Sequence, residues 1–134
     1  ERIVLGFQCG KNSNEYMFEK YLDYRVAELI ERYSEGKPVL VFCQTQKGTI
    51  NAAKQLVMDY NMNKIPIMAI HNSTQERMKL DALSNKISNK QLSQFVKYGI
   101  GFHNAGLSLS DRQLVEENFK MNLIKIILYV FIIS

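Results

Sequence analysis

Several things this sequence has little of narrow its class. Its two cysteines, Cys9 and Cys43, are too few for a disulfide framework, so the fold must rest on an apolar core, and Cys43 at the end of an apolar run suits a reduced core thiol. The two histidines, His71 and His103, share no ligand spacing with the cysteines, which excludes a zinc site of the finger or ribbon kind, and no other metal centre is expected. The chain opens Glu1-Arg2 with no long apolar run near it, so no secretory leader is expected. The one strongly apolar stretch, Leu123 to Ile133, contains Lys125 and is too short to span a bilayer, so no membrane partner is expected. The phosphate-wrapping pattern G-x-x-x-x-G-K followed by Ser or Thr is absent, so these residues do not hold ATP in that way.

The chain has 134 residues, 46% of them hydrophobic, which suffices for one core and one domain over residues 1–134. Its formal charge of +4 is uneven. Between residues 60 and 100, Lys64, Arg77, Lys79, Lys86, Lys90 and Lys97 face only Glu76 and Asp81, while the remainder balances. Such a segment is compatible with a nucleic-acid partner, and equally with a solvated helix face.

The stretch from Lys37 to Tyr60, KPVLVFCQTQKGTINAAKQLVMDY, organises the rest. Val39 to Cys43 is a continuous apolar run after Pro38, the pattern of a strand buried on both faces in a parallel sheet. A helix follows with Thr45 as N-cap, Ile50, Ala53, Leu56, Val57 and Tyr60 as its buried stripe, and Asn51, Lys54, Gln55 and Asp59 opposite. Upstream, Ile3 to Phe7 reads as an extended entry segment, and Phe18 to Tyr33 as a helix stopped by Gly36. Downstream, Ile65 to Ile70 is a short apolar run broken by Pro66. Ser73 with Glu76 resembles a capping box for a helix to about Leu83, and Ser88 with Gln91 repeats the device for a helix to Tyr98, stopped at Gly99. Ile100 to His103 reads as a strand, Ser110 with Gln113 as the start of a helix that buries Leu114, Val115 and Phe119, and Leu123 to Ile133 as a closing strand. Helices alternating with short apolar strands predict a parallel α/β sheet.

Catalytic chemistry has no candidate in this pattern. A cysteine phosphatase needs arginine six positions after its nucleophile, and the sixth after Cys43 is Thr49. Two polar turns remain, each at the carboxyl end of a predicted strand: Thr45-Gln46-Lys47-Gly48 and His103-Asn104-Ala105-Gly106. In a parallel sheet both lie on one edge, beside helix N-termini that favour anions. Hydroxyl, amide, ammonium and imidazole groups placed there suit a sugar-phosphate backbone. A lone His103 is also compatible with simple packing.

The combination KPVLVFCQTQKGTINAA and GIGFHNAGLSLSDRQLVEENF resembles the second RecA-like domain of the large DExH-box superfamily 2 helicases. The opening VLGF, the helix ending YSEGKP, and SDRQLVEENF are most similar to the meiotic crossover helicases of the Mer type. The resemblance covers residues 1 to about 128 and implies a parallel-sheet, three-layer RecA-like sandwich, incomplete at its C-terminus. It implies an ATP-driven, nuclear DNA helicase in which this domain closes on a first RecA-like domain and grips single-stranded DNA. ATP and Mg²⁺ would be held in the complete parent, and the 134 residues alone would be inactive. Carried onto this chain, Thr45 and Lys47 match the first backbone-contacting loop and His103, Ala105 and Gly106 the second, with Gln46 and Asn104 placed among the binding residues of the same two loops. Gln46 stands where arginine is usual, Asn104 where a second histidine is usual, and residues 61–75 match poorly. After Leu128 the Thr/Ser-rich loop and later arginine motif of the family do not follow. An RNA helicase of the same group, and a non-catalytic interaction module or gene remnant, are the competing readings. The apolar tail, Leu123 to Ile133, without its usual neighbours, is expected to expose one side of the strand or its edge and to self-associate.

Overall fold

A computed structural model describes residues 3–6, 38–43, 45–62 and 73–130, the first of these as backbone alone. The readings placed on Phe18–Tyr33, Ile65–Ile70, His71 and Cys9 lie outside the described residues. The elements are β1 (Ile3–Gly6), β2 (Val39–Cys43), α1 (Gln46–Asn61), α2 (Thr74–Lys86), α3 (Lys90–Val96), β3 (Ile100–His103), α4 (Leu109–Lys120) and β4 (Ile126–Val130). The four strands form one sheet in the order β1-β2-β4-β3, with every pair parallel. The fold is therefore α/β, as the alternation of elements predicts, and it is consistent with part of a RecA-like domain.

Register determines what each face carries, because residues side by side in a parallel sheet point the same way. Val39, Ile126 and Ile100 make one row across β2, β4 and β3, and Val41, Leu128 and Phe102 make the next on the same face. All six are almost completely buried. Phe102 meets Phe95 of α3 edge-on, with ring centroids 6.1 Å apart, so α3 covers this face. Tyr60 of α1 packs on Tyr98 at 5.7 Å, and Ser84 of α2 bonds to Ser93 of α3, which gathers α1, α2 and α3 together there.

The opposite face carries Leu40, Ile127 and Gly101, then Phe42, Tyr129 and His103. Here α4 approaches so closely that a Cβ on Gly101 would lie 3.0 Å from a Val115 methyl. The chain runs outward from β2 to β3 and back inward to β4, and right-handed crossovers in opposite directions must lie on opposite faces. Helices on both faces of the sheet make the three layers.

Three expectations change. Strand β2 is not equally buried on its two faces, since Val39 and Val41 are fully buried while Leu40 and Phe42 are half-buried. Helix α1 is rotated from its predicted stripe: Thr49, Ala52, Ala53, Leu56 and Asp59 are buried, whereas Ile50, Val57 and Tyr60 are half-buried. Asp59 tolerates this position by accepting a hydrogen bond from Gln55 at 3.0 Å. Strand β4, expected to expose an edge, is paired with β2 on one side and β3 on the other, and Ile126, Ile127 and Leu128 have no exposure. Over residues 126–130 no edge is left to template another chain, which removes the basis for self-association there.

Candidate nucleic-acid interface

Because β2 and β3 are parallel, their carboxyl ends share an edge, as the sequence requires. Phe42 and His103 both lie opposite Tyr129, one ladder spacing to either side, so the two loops leave the sheet roughly 10 Å apart.

The first loop turns outward. Thr45 has extended backbone, and its hydroxyl oxygen accepts from the Gly48 N–H at 2.9 Å, making it the N-cap of α1. Glycine suits position 48, because a Cβ would sit 3.0 Å from that hydroxyl oxygen and crowd the cap. The Thr49 hydroxyl donates to the Gln46 carbonyl at 2.6 Å and tightens the same turn. Thr45, Gln46 and Lys47 are exposed, and the first turn contains no acid, so the helix end and the ammonium group favour an anion together. No carboxylate among the described residues forms an ion pair with Lys47.

The second loop turns inward. The His103 ring stacks on Tyr129 with centroids 4.9 Å apart, and its Nε2 lies 3.2 Å from the Glu116 carboxylate on α4. Asn104, which replaces the expected histidine, folds back so that its Oδ1 accepts from the Gly106 N–H at 2.8 Å. Ala105 and Gly106 form the exposed tip. Thr45, Gln46, Lys47, His103, Asn104 and Gly106 therefore share one edge, but His103 and Asn104 are committed to protein partners.

The helix after the second loop starts two residues before its expected start. Ser108, not Ser110, is the N-cap of α4, accepting from the Asp111 N–H at 3.1 Å. Likewise Asn89, not Ser88, caps α3, accepting from the Leu92 N–H at 2.9 Å. Ser88 is instead drawn to Asp111: its N–H and hydroxyl donate at 3.0 and 2.9 Å, and the Asn89 N–H donates at 3.0 Å. Burial alone would push the Asp111 pKa up, yet these donors from Ser88 and Asn89 outweigh it and hold the carboxyl below its ordinary value. At 2% exposure this carboxylate is a structural anchor.

Sequence reasoning also missed Tyr129. Phe42, Tyr129 and His103 form a continuous aromatic row, with Phe42 and Tyr129 centroids 5.6 Å apart, that joins the bases of the two loops. The pairing of β4 between β2 and β3 creates this row, and no local pattern announces it. Among the described residues no three His, Cys, Asp or Glu side chains converge on a metal position, and no helix is long and apolar enough to cross a membrane.

The class defined by fold and site is a parallel α/β domain of partial RecA-like form, with two polar loops at one strand-end edge. Comparison with known proteins gives the family. The chain is 40% identical over 119 residues, 89% of its length, to the probable ATP-dependent DNA helicase HFM1 of Mus musculus. It is 36% identical over 87% of its length to the ATP-dependent DNA helicase homolog MER3 of Arabidopsis thaliana, and 31% identical over 90% to the ATP-dependent DNA helicase MER3 of Saccharomyces cerevisiae. The chain is a homologue of one segment of the HFM1/MER3 ATP-dependent DNA helicases. It spans 8 to 10% of the length of these relatives. No protein-family model matches it.

Proposed function

We propose that this chain is the part of an ATP-dependent DNA helicase that holds the backbone of single-stranded DNA during translocation, acting in the nucleus in meiotic recombination. The observation that carries the reading is the placement of both loops on one carboxyl edge, with Lys47 exposed beside the N-terminus of α1. The chemistry is positioning. Thr45 and Gly48 shape the first turn, Lys47 supplies charge, and the tip at Ala105 and Gly106 lets a phosphate approach the backbone of the second. ATP and Mg²⁺ belong to the complete parent, on a first RecA-like domain that closes against this one. These residues offer no phosphate-wrapping loop, so ATP hydrolysis is not assigned to any of them.

Titrating a labelled oligothymidylate at several salt concentrations tests the grip. Binding should be nearly blind to base sequence and weaken with salt at a log-log slope of about 0.7 per phosphate neutralised. Lys47→Ala should lower that slope by about 0.7. Binding indifferent to salt, or an unchanged slope in the variant, removes the first loop from the interface. A matched RNA strand reports whether the grip reads the sugar, and ATP turnover by these 134 residues alone would overturn the division of labour.

A further inference from the structure

We propose that the turn between α2 and α3 is a third arm of this interface, with Lys86 and Lys90 neutralising backbone phosphates and Asp111 as the positioning residue that holds the turn in place. This inference rests on the reading of the strand-end edge as a nucleic-acid grip. The triplet Ser-Asn-Lys ends α2 at 84–86 and recurs at 88–90, where α3 begins, with Ile87 between. Its polar groups divide by direction. The Ser84 hydroxyl donates to the Ser93 carbonyl at 2.9 Å, and the Ser93 hydroxyl donates back to the Ser84 carbonyl at 2.9 Å, locking α2 to α3. Ile87 is buried, Asn89 caps α3, and Ser88 and Asn89 together give three hydrogen bonds to Asp111. Lys86 and Lys90 are left exposed.

Two features make this more than a solvated corner. First, from residue 82 to residue 110 there is no Asp or Glu, so the lysines have no acid of their own segment to pair with. Second, desolvating a carboxylate is costly, and a connection between two surface helices does not need one. Here the Asp111 carboxylate sits in the first turn of α4, directly after the second loop, so its hydrogen bonds fix the lysine turn beside that loop and on the same edge. A charge held in place loses less freedom when an anion arrives than one on a mobile loop. Lys97 has the same charge but precedes β3, at the opposite end of that strand, and so serves as a control.

The salt titration of the 134-residue chain separates the outcomes. Lys86→Ala with Lys90→Ala should lower the slope by about 1.4, two phosphates' worth, while Lys97→Ala leaves it unchanged. Asp111→Asn should lower the slope in the same direction in protein that still shows a cooperative melt. Lys47→Ala added to that variant should still remove its own increment of about 0.7, which general loosening would not preserve. If Lys47→Ala lowers the slope and the Lys86/Lys90 pair does not, the third arm is wrong and the two-loop grip survives. If the unmodified chain shows no salt-dependent binding, both are wrong.

Discussion

The two loops at the carboxyl edge are made from similar parts, namely a strand end, a polar turn, a hydroxyl N-cap and a glycine, yet they face in opposite directions. In the first, the cap bond closes within three residues, from Gly48 to Thr45, and leaves Gln46 and Lys47 in solvent. In the second, His103 is paired with Glu116, Asn104 with Gly106, and the following helix is tied through Asp111 to a turn more than twenty residues earlier in the chain. A loop held by local bonds can carry charge outward; a loop held by distant bonds uses its polar side chains as structure. On this comparison, variants in the Asp111 anchor of the second loop should lower stability most, and variants in the first loop should lower binding more.

The largest expected effect is at Asp111. Replacing it by alanine removes three hydrogen bonds to a buried carboxylate, and should cost about 2–4 kcal/mol in urea unfolding. Acid should act in the same place. With its folded pKa below the ordinary value, the Asp111 carboxyl contributes stability that is fully present above the unfolded pKa and is lost as pH falls through the folded one. Asp111→Asn should therefore flatten the acid limb of the stability profile. An acid limb of unchanged steepness would mean that other carboxylates set it and that the second loop is no more strongly anchored than the first.

That anchor also marks how much was legible in the sequence. Strands β2 and β3 were readable to the residue, because short apolar runs bounded by Pro38 and Gly99 have one interpretation. The caps at Thr45 and Ser73 were read correctly, with bonds of 2.9 Å to Gly48 and 3.1 Å to Glu76. The starts of α3 and α4 were misread where hydroxyls or amides crowd together, Ser88 beside Asn89 and Ser108 two before Ser110. Local spacing there fits two frames, and the choice is made by Asp111, a contact across more than twenty residues. The outline of the candidate site was legible because parallel strands must share a carboxyl edge. The aromatic row through Tyr129 and the inward turn of His103 were not, since both depend on β4 entering between β2 and β3.

Middle-sized effects should come from the caps. Thr45→Val keeps the shape but removes the acceptor for the Gly48 N–H, and should cost about 1 kcal/mol and fray the first turn of α1. Asn104→Ala removes one exposed side-chain bond, to Gly106, and should cost about 0.5 kcal/mol. Chemical denaturation of the two variants side by side checks the order. If Asn104→Ala proves the more damaging, the second loop rests on its own turn and not on the Asp111 anchor.

The smallest stability effect, and the one that bears most directly on binding, belongs to Glu116. Its pairing with His103 is partly exposed, and such a pair contributes about 0–1 kcal/mol, so Glu116→Gln should leave the melt nearly unchanged. The same carboxylate nevertheless places a negative charge beside the edge where a phosphate is proposed to sit. Removing it should strengthen single-strand binding at low salt, and the gain should fade as salt rises, because screening acts over about 10 Å at 0.1 M. His103→Gln in the same background separates two ways in which the second loop can contribute. If the gain from Glu116→Gln disappears, the imidazole is the contact and Glu116 holds it back. If the gain remains, the contact is the backbone at Ala105 and Gly106, and His103 serves the aromatic row alone. An affinity indifferent to Glu116 at every salt concentration would put the strand's path away from the second loop, leaving Lys47 and the first loop to carry the grip.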